Sequence, residues 1–136
     1  MRRNEQYEAG LKIRREVLGD EYVDRALTGA DDFTAELQEF LNSNCWGYAW
    51  TREAIDSRTR SLVTLAILGT LGRVNELQAH TLGALRNGCT PDEIKEVLLH
   101  LAVYAGAPAG VEAFRAAQPV VSGFRASSGG ASSDRE

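Results

Sequence analysis

The stretch running from Gly72 to His80, GRVNELQAH, sets Glu76 and His80 four residues apart in an otherwise apolar region. On a helix that spacing puts both side chains on one face, within reach of each other. A histidine so placed can take or give a proton near neutral pH. A carboxylate one turn away can orient the imidazole and hold its charged form. At about 100° per residue, Arg73, Glu76, His80 and Asn87 fall in one narrow stripe, bordered by Val74, Leu77 and Ala84, so the polar row edges the core. Arg73 at its head offers a fixed positive charge for an anion or a developing oxyanion. The spacing alone is a weak signal, because Glu96 and His100 repeat it. That second pair lies beside Tyr104, away from the main apolar stripe of its helix, and reads as structural, either exposed or at a subunit contact.

Upstream, Arg52, Arg58 and Arg60 lie close together, next to Trp46 and Trp50. Arg58 reads as a structural arginine at a helix start. For Arg52 and Arg60 two readings stand: solvated side chains beside core-plugging aromatics, or guanidinium groups that bind a small di-anion against an aromatic wall that thins the water. Other chemistries lack their motifs. The sequence has no glycine-rich phosphate loop and no Gly-x-Ser-x-Gly, and its histidines are too few for a histidine-rich metal site. Glu76 and His80 find no third ligand, so no metal is expected.

Helices must carry these residues. Tyr7, Leu11 and Leu18 keep near-helical spacing up to a stop at Gly19, and a second segment, DEYVDRAL, starts at a possible Asp20 cap. After Asp31 and Asp32, the residues Phe33, Leu37, Phe40 and Leu41 form one apolar stripe. The segment NCWGYAWTREAIDSRTR shows no clear period and reads as an irregular connection. From Ser61 to Leu71 the chain is apolar all round, as expected of a helix buried at the centre of a bundle. The next helix covers 74–87 and stops at Asn87-Gly88. Thr90, Pro91 and Glu93 then give the strongest helix start in the chain. The helix they open lines up Ile94, Val97, Leu98, Leu101 and Ala105, with a second apolar face at Leu99 and Val103 that predicts burial against another subunit. AGAPAG at 105–110 breaks it, and a short last helix runs to about Ala117. No strand alternation appears, so the fold class is all-α. A single helical domain over 1–121 and a disordered small-polar tail over 122–136 are expected.

Composition narrows the partners. A net charge of −4 and a pI near 5.2 give no basic footprint, which argues against nucleic acid. The longest apolar run, LVTLAILGTLG from Leu62, is too short and glycine-broken to cross a membrane. The N-terminal MRRNEQYEAG has no apolar run of the kind a secretory signal needs. Cys45 and Cys89 are isolated from each other, as suits a reducing compartment. The reading is a soluble cytoplasmic protein with a small-molecule partner.

These residues resemble a known family, the carboxymuconolactone decarboxylases of the wider alkylhydroperoxidase-D-like superfamily. The resemblance rests on RREVLGD at 14–20, WGYAWTR at 46–52, SRTRSLVTLAIL at 57–68, ELQAH at 76–80, NGCTPDEIKEVLLH at 87–100 and YAGAPAG at 104–110. It covers about residues 7–117. It implies an all-α fold around an antiparallel helical hairpin, a homo-oligomer that is typically a hexamer, and no cofactor. The implied reaction is loss of CO2 from the di-anionic 4-carboxymuconolactone to give 3-oxoadipate enol-lactone, in protocatechuate breakdown by the β-ketoadipate pathway. His80 held by Glu76 is then the proton carrier, with Arg73, Arg52 or Arg60 on the substrate carboxylates and oxyanion, and Trp46 and Trp50 beside them. The peroxidase branch of the superfamily uses Cys-x-x-Cys-x-x-x-His. Arg73 and Glu76 occupy its two cysteine positions, which removes the dithiol that disulfide exchange requires. A thiol-dependent peroxidase and a non-catalytic oligomeric binding protein remain as alternative readings.

Overall fold

The computed structural model describes residues 3–132. Among them are seven α-helices and one π-helix, in the order α1 (Arg3–Leu18), α2 (Asp20–Thr28), α3 (Ala35–Phe40), a π-helix continuing α3 (Leu41–Trp50), α4 (Ser57–Leu71), α5 (Val74–Arg86), α6 (Pro91–Ala105) and α7 (Ala107–Ser132). No strand occurs among the described residues, and the fold is all-α, as expected. The chain divides into two compact units, Met1–Ser57 and Arg58–Glu136.

In the first unit α1 packs along the π-helix. The approach is close enough that a Cβ on Gly10 would overlap the carbonyl of Asn42 and the backbone of Gly47. Only glycine fits at such a backbone crossing. Gly19, at φ 89°, separates α1 from α2. It takes the cap position of α2 that the sequence suggests for Asp20, which instead becomes the first helical residue. Asp31 starts the turn into α3, its Oδ1 accepting from the backbone amides of Phe33 and Thr34 at 3.0 and 3.1 Å. The segment read as irregular is π-helical over Leu41–Trp50. Its wider i→i+5 turns do not follow a 3.6-residue period, which is why no periodicity shows in the sequence. The Phe33, Leu37 and Phe40 stripe is not core: these side chains are exposed.

The second unit obeys sequence rules closely. Thr90 accepts from the Glu93 amide and the Glu93 carboxylate accepts from the Thr90 amide, closing the capping box with Pro91 in the first turn. The α6 and α7 helices form an antiparallel hairpin about Gly106, where φ is 111°. Gly110 lies against Ala102, and farther from the turn Ile94 and Leu98 share a groove with Phe114, Ala117 and Val121. The core joins Leu65 of α4, Leu77, Ala84 and Leu85 of α5, Ile94, Leu98 and Leu101 of α6, and Ala113, Ala116 and Ala117 of α7. Ala105, expected on that face, is exposed at the helix end.

Two expectations fail here. The α4 helix is not buried all round: Ser61, Leu65 and Gly69 are buried, whereas Val63, Ile67 and Leu71 are exposed. One stripe of a helix is enough to join the core, and the other apolar stripe is left at the surface of the chain. The last helix does not stop near Ala117 but continues to Ser132, because Val120, Val121 and Phe124 pack against the core and carry it past Pro119. Of the expected tail over 122–136, residues 122–132 continue α7 and residues 133–136 lie outside the described residues.

Candidate active site

Helix α5 positions Glu76 and His80. Gly72, at φ 70°, ends the approach from α4, and the Val74 amide donates to the Gly72 carbonyl at 3.1 Å. That bond closes a tight turn centred on Arg73, whose φ of −86° and ψ of 78° lie outside the helix. Arg73 therefore stands at the cap of α5 rather than on its regular face, and its exposed side chain is free of the stripe geometry assumed from the sequence. Val74 is also exposed, while Leu77 and Ala84 are fully buried and anchor the inner face of α5.

Glu76 lies at the surface in the first turn, and His80 one turn on is partly buried. With a rise of about 1.5 Å per residue the two are about 6 Å apart along the axis. Burial pushes the His80 imidazole down to about 4, and the Glu76 carboxylate pulls in the opposite direction without overcoming it. In the resting protein His80 is neutral at pH 7. Desolvation outweighs the pull of a carboxylate that lies at the surface.

Further along the face, Asn87 does not extend the acid–base row. Its Nδ2 donates to the buried Ser61 Oγ at 3.0 Å, pinning the end of α5 to α4. Arg58 pairs with Glu93, and Cys89 Sγ donates to the Arg58 carbonyl at 3.5 Å, so the start of α4 is held to the start of α6. Arg60 lies partly buried in the first turn of α4. His100 is exposed and packs on Tyr104, the ring centroids 4.9 Å apart at an interplanar angle of 34°. The structural reading of Glu96 and His100 agrees with this.

Within the first unit, Trp46 is buried and stacks on Trp50 with centroids 4.9 Å apart. The Arg52 guanidinium lies over Tyr48, 5.5 Å from the ring centroid. Sequence reasoning missed Tyr48, although its four-residue spacing from Arg52 is the one that brings two side chains together on a helix. Among the described residues no group of three or more His, Cys, Asp or Glu side chains is arranged to hold a metal ion. Cys45 and Cys89 are not joined in a disulfide.

Residues 35–119 match the model of the carboxymuconolactone decarboxylase family. The chain belongs to this family. The matched segment contains Trp46, Trp50, Arg52, Arg60, Arg73, Glu76 and His80. The 4-carboxymuconolactone decarboxylase of Acinetobacter baylyi is 42% identical over 120 residues, covering 88% of this chain and 90% of that one. A nitrosuccinic acid decarboxylase of Metarhizium robertsii is 42% identical over 115 residues, 85% of this chain and 80% of its own. A 4-carboxymuconolactone decarboxylase of Pseudomonas putida is 43% identical over 47 residues, 35% of this chain. Similarity over most of both chains to the Acinetobacter baylyi and Metarhizium robertsii decarboxylases supports placing this protein among the carboxy-lyases of the family. Among the described residues no helix is long and apolar enough to cross a membrane.

Proposed function

We propose that this protein is a cofactor-free decarboxylase that converts 4-carboxymuconolactone to 3-oxoadipate enol-lactone in the β-ketoadipate pathway, acting in the cytoplasm. The observation that carries the reading is the 42% identity to the Acinetobacter baylyi 4-carboxymuconolactone decarboxylase over 88% of this chain. The chemistry needs little equipment. When the carbon–carbon bond to the leaving carboxylate breaks, its electron pair spreads through the conjugated lactone onto the ring carbonyl, and a cation or hydrogen-bond donor at that oxygen lowers the barrier. A proton must then return to carbon.

His80 is the proposed proton carrier and Glu76 its orienting partner. The resting ring, with its pKa near 4, holds no spare proton at neutral pH. Arrival of a di-anionic substrate adds negative charge beside it and raises its affinity for a proton, so the ring is loaded when a carbanion is about to form. Arg73, Arg60 and Arg52 are the proposed groups for the substrate carboxylates and the oxyanion, with Trp46 and Trp50 as apolar walls. Coupling purified protein to the preceding cycloisomerase and following CO2 release tests the activity. A rate equal to the uncatalysed background would refute it.

A second substrate reading is favoured by the equal identity to the nitrosuccinic acid decarboxylase. A nitro group accepts the departing electron pair as a conjugated carbonyl does, so the two chemistries share an acid–base centre. Comparing turnover on nitrosuccinate and on the lactone decides between them. Peroxide reduction that disappears in a Cys45→Ser, Cys89→Ser double variant would revive a thiol mechanism. The proposed assembly is a homo-oligomer, a hexamer by family resemblance. Its support is the apolar surface that one chain leaves open, with Leu99 46%, Val103 78% and Ile67 53% exposed. Sedimentation equilibrium measures its size.

A further inference from the structure

Two neighbouring arginines on α1 meet opposite circumstances. Arg15 sits near the surface and pairs with Asp20 at 3.1 Å and Asp24 at 2.9 Å. Arg14 is buried, only 4% exposed, and its Nη1 donates to two neutral acceptors, Gln38 Oε1 and Asn42 Oδ1, each at 2.9 Å. Among the described residues no carboxylate pairs with it. A buried guanidinium without a counter-charge is costly, and neutral amide oxygens offset only part of that cost.

The polar atoms around it point to what is missing. Arg14 Nε, Asn42 Nδ2 and Ser43 Oγ are all buried without a hydrogen-bond partner. Two of these are obligate donors, and a hydroxyl can donate as well. Asn42 is fully buried and Ser43 is 6% exposed. Such groups are normally satisfied by protein, water or an ion, and a set of donors beside a fixed positive charge selects an acceptor that is negative. An open cleft of about 440 Å³ gives access. It is lined by Tyr7, Leu27, Ala30, Gln38, Glu39 and Ser43 among others. Gln38 both lines this cleft and accepts from Arg14, and Ser43 lines it too, so the cleft and the buried cluster share these two residues.

We propose that Arg14, Asn42 and Ser43 form a binding site for a small monocarboxylate-type oxyanion, such as formate or bicarbonate, entered from this cleft in the N-terminal unit. One guanidinium and three donor atoms match a small guest with a single negative charge. Burial also lowers the proton affinity of the Arg14 guanidinium, the effect that a bound anion would reverse. The site lies partly outside the segment matched by the family, since Arg14 precedes residue 35. It does not rest on the decarboxylase reading.

The test uses the intact protein. Formate and bicarbonate are titrated at constant ionic strength while the thermal midpoint and the 13C line width of labelled formate are followed. Saturable broadening and a midpoint rise of about 4 °C at ten times Kd are expected. Ser43→Ala should weaken formate binding about tenfold while retaining helicity, and Arg14→Lys should abolish it. Should Arg14→Lys fail to fold, the wild-type titration and Ser43→Ala still decide. The His80→Ala variant should bind formate as the wild type does, which separates this site from the proposed acid–base centre. No saturable response in the wild type, an equal response to chloride and sulfate, or unchanged affinity in Ser43→Ala would each overturn the proposal, leaving water as the partner of these donors.

Discussion

Glu76 with His80 and Glu96 with His100 are the same residue types at the same spacing on helices of similar length, yet the structure treats them differently. His80 is partly buried on α5, and removal from water drives its pKa down to about 4. His100 is exposed on α6, packed on the ring of Tyr104. The pair geometry set by helical repeat is shared, whereas the dielectric around the imidazole is not. What separates a candidate catalytic pair from a decorative one is therefore the burial of the histidine, because burial makes its protonation responsive to an arriving charge.

The contrast breaks most sharply under substitution. His80→Ala should lower decarboxylation by about 10²- to 10⁴-fold, the range for a lost general acid or base. His100→Ala should stay within about twofold of wild type. Initial rates on assembled protein of equal helicity check both, and equal losses would erase the distinction. Glu76→Gln should reduce turnover about tenfold and move the alkaline limb of the rate profile to lower pH, since His80 must hold a proton in the substrate complex and the carboxylate is the one influence that raises its pKa. Glu96→Gln should do neither.

Stability gives a third, smaller reading of the same difference. The unfolded imidazole has its ordinary pKa near 6.5 and the folded one sits near 4, so between these values the unfolded chain binds more protons. The His80 contribution is thus fully favourable above about pH 6.5, is lost as pH falls toward 4, and is flat below that. The full loss is on the order of 3 kcal/mol. Denaturant melts at pH 7 and pH 4.5 should show it in the wild type and show it removed in His80→Gln. The smallest expected effect is at Tyr104: replacing it with Ala should change stability by under about 0.5 kcal/mol in the monomer, because the ring already lies 81% exposed.

Much of the second unit was legible because local rules there agree with tertiary packing. The Thr90–Glu93 capping box, the Gly88 stop at φ 92° and the inner faces of α5 and α6 follow from residue type and a 3.6-residue period. The first unit was less so. A π-helix has another period, and the crossing at Gly10 and Gly47 depends on two segments more than thirty residues apart in the chain. The α4 helix misled for a different reason: an all-round apolar sequence states that every face must be covered but not by what. In α7, Phe124 was overlooked because a single aromatic among small polar residues carries no periodic signal, yet its packing extends the helix.

By itself the sequence determined that the chain is helical, where most helices begin and end, which family it belongs to, and that Glu76 and His80 share a face. These are properties of short-range backbone sterics, hydrogen-bond capping and the helical repeat. Tertiary structure alone decided that His80 rests neutral, that Arg73 stands in a turn off the helical stripe, and that Arg14 is buried among donors while Arg15 meets two aspartates. Desolvation and charge pairing are set by atoms brought from distant parts of the chain, and no local pattern encodes them.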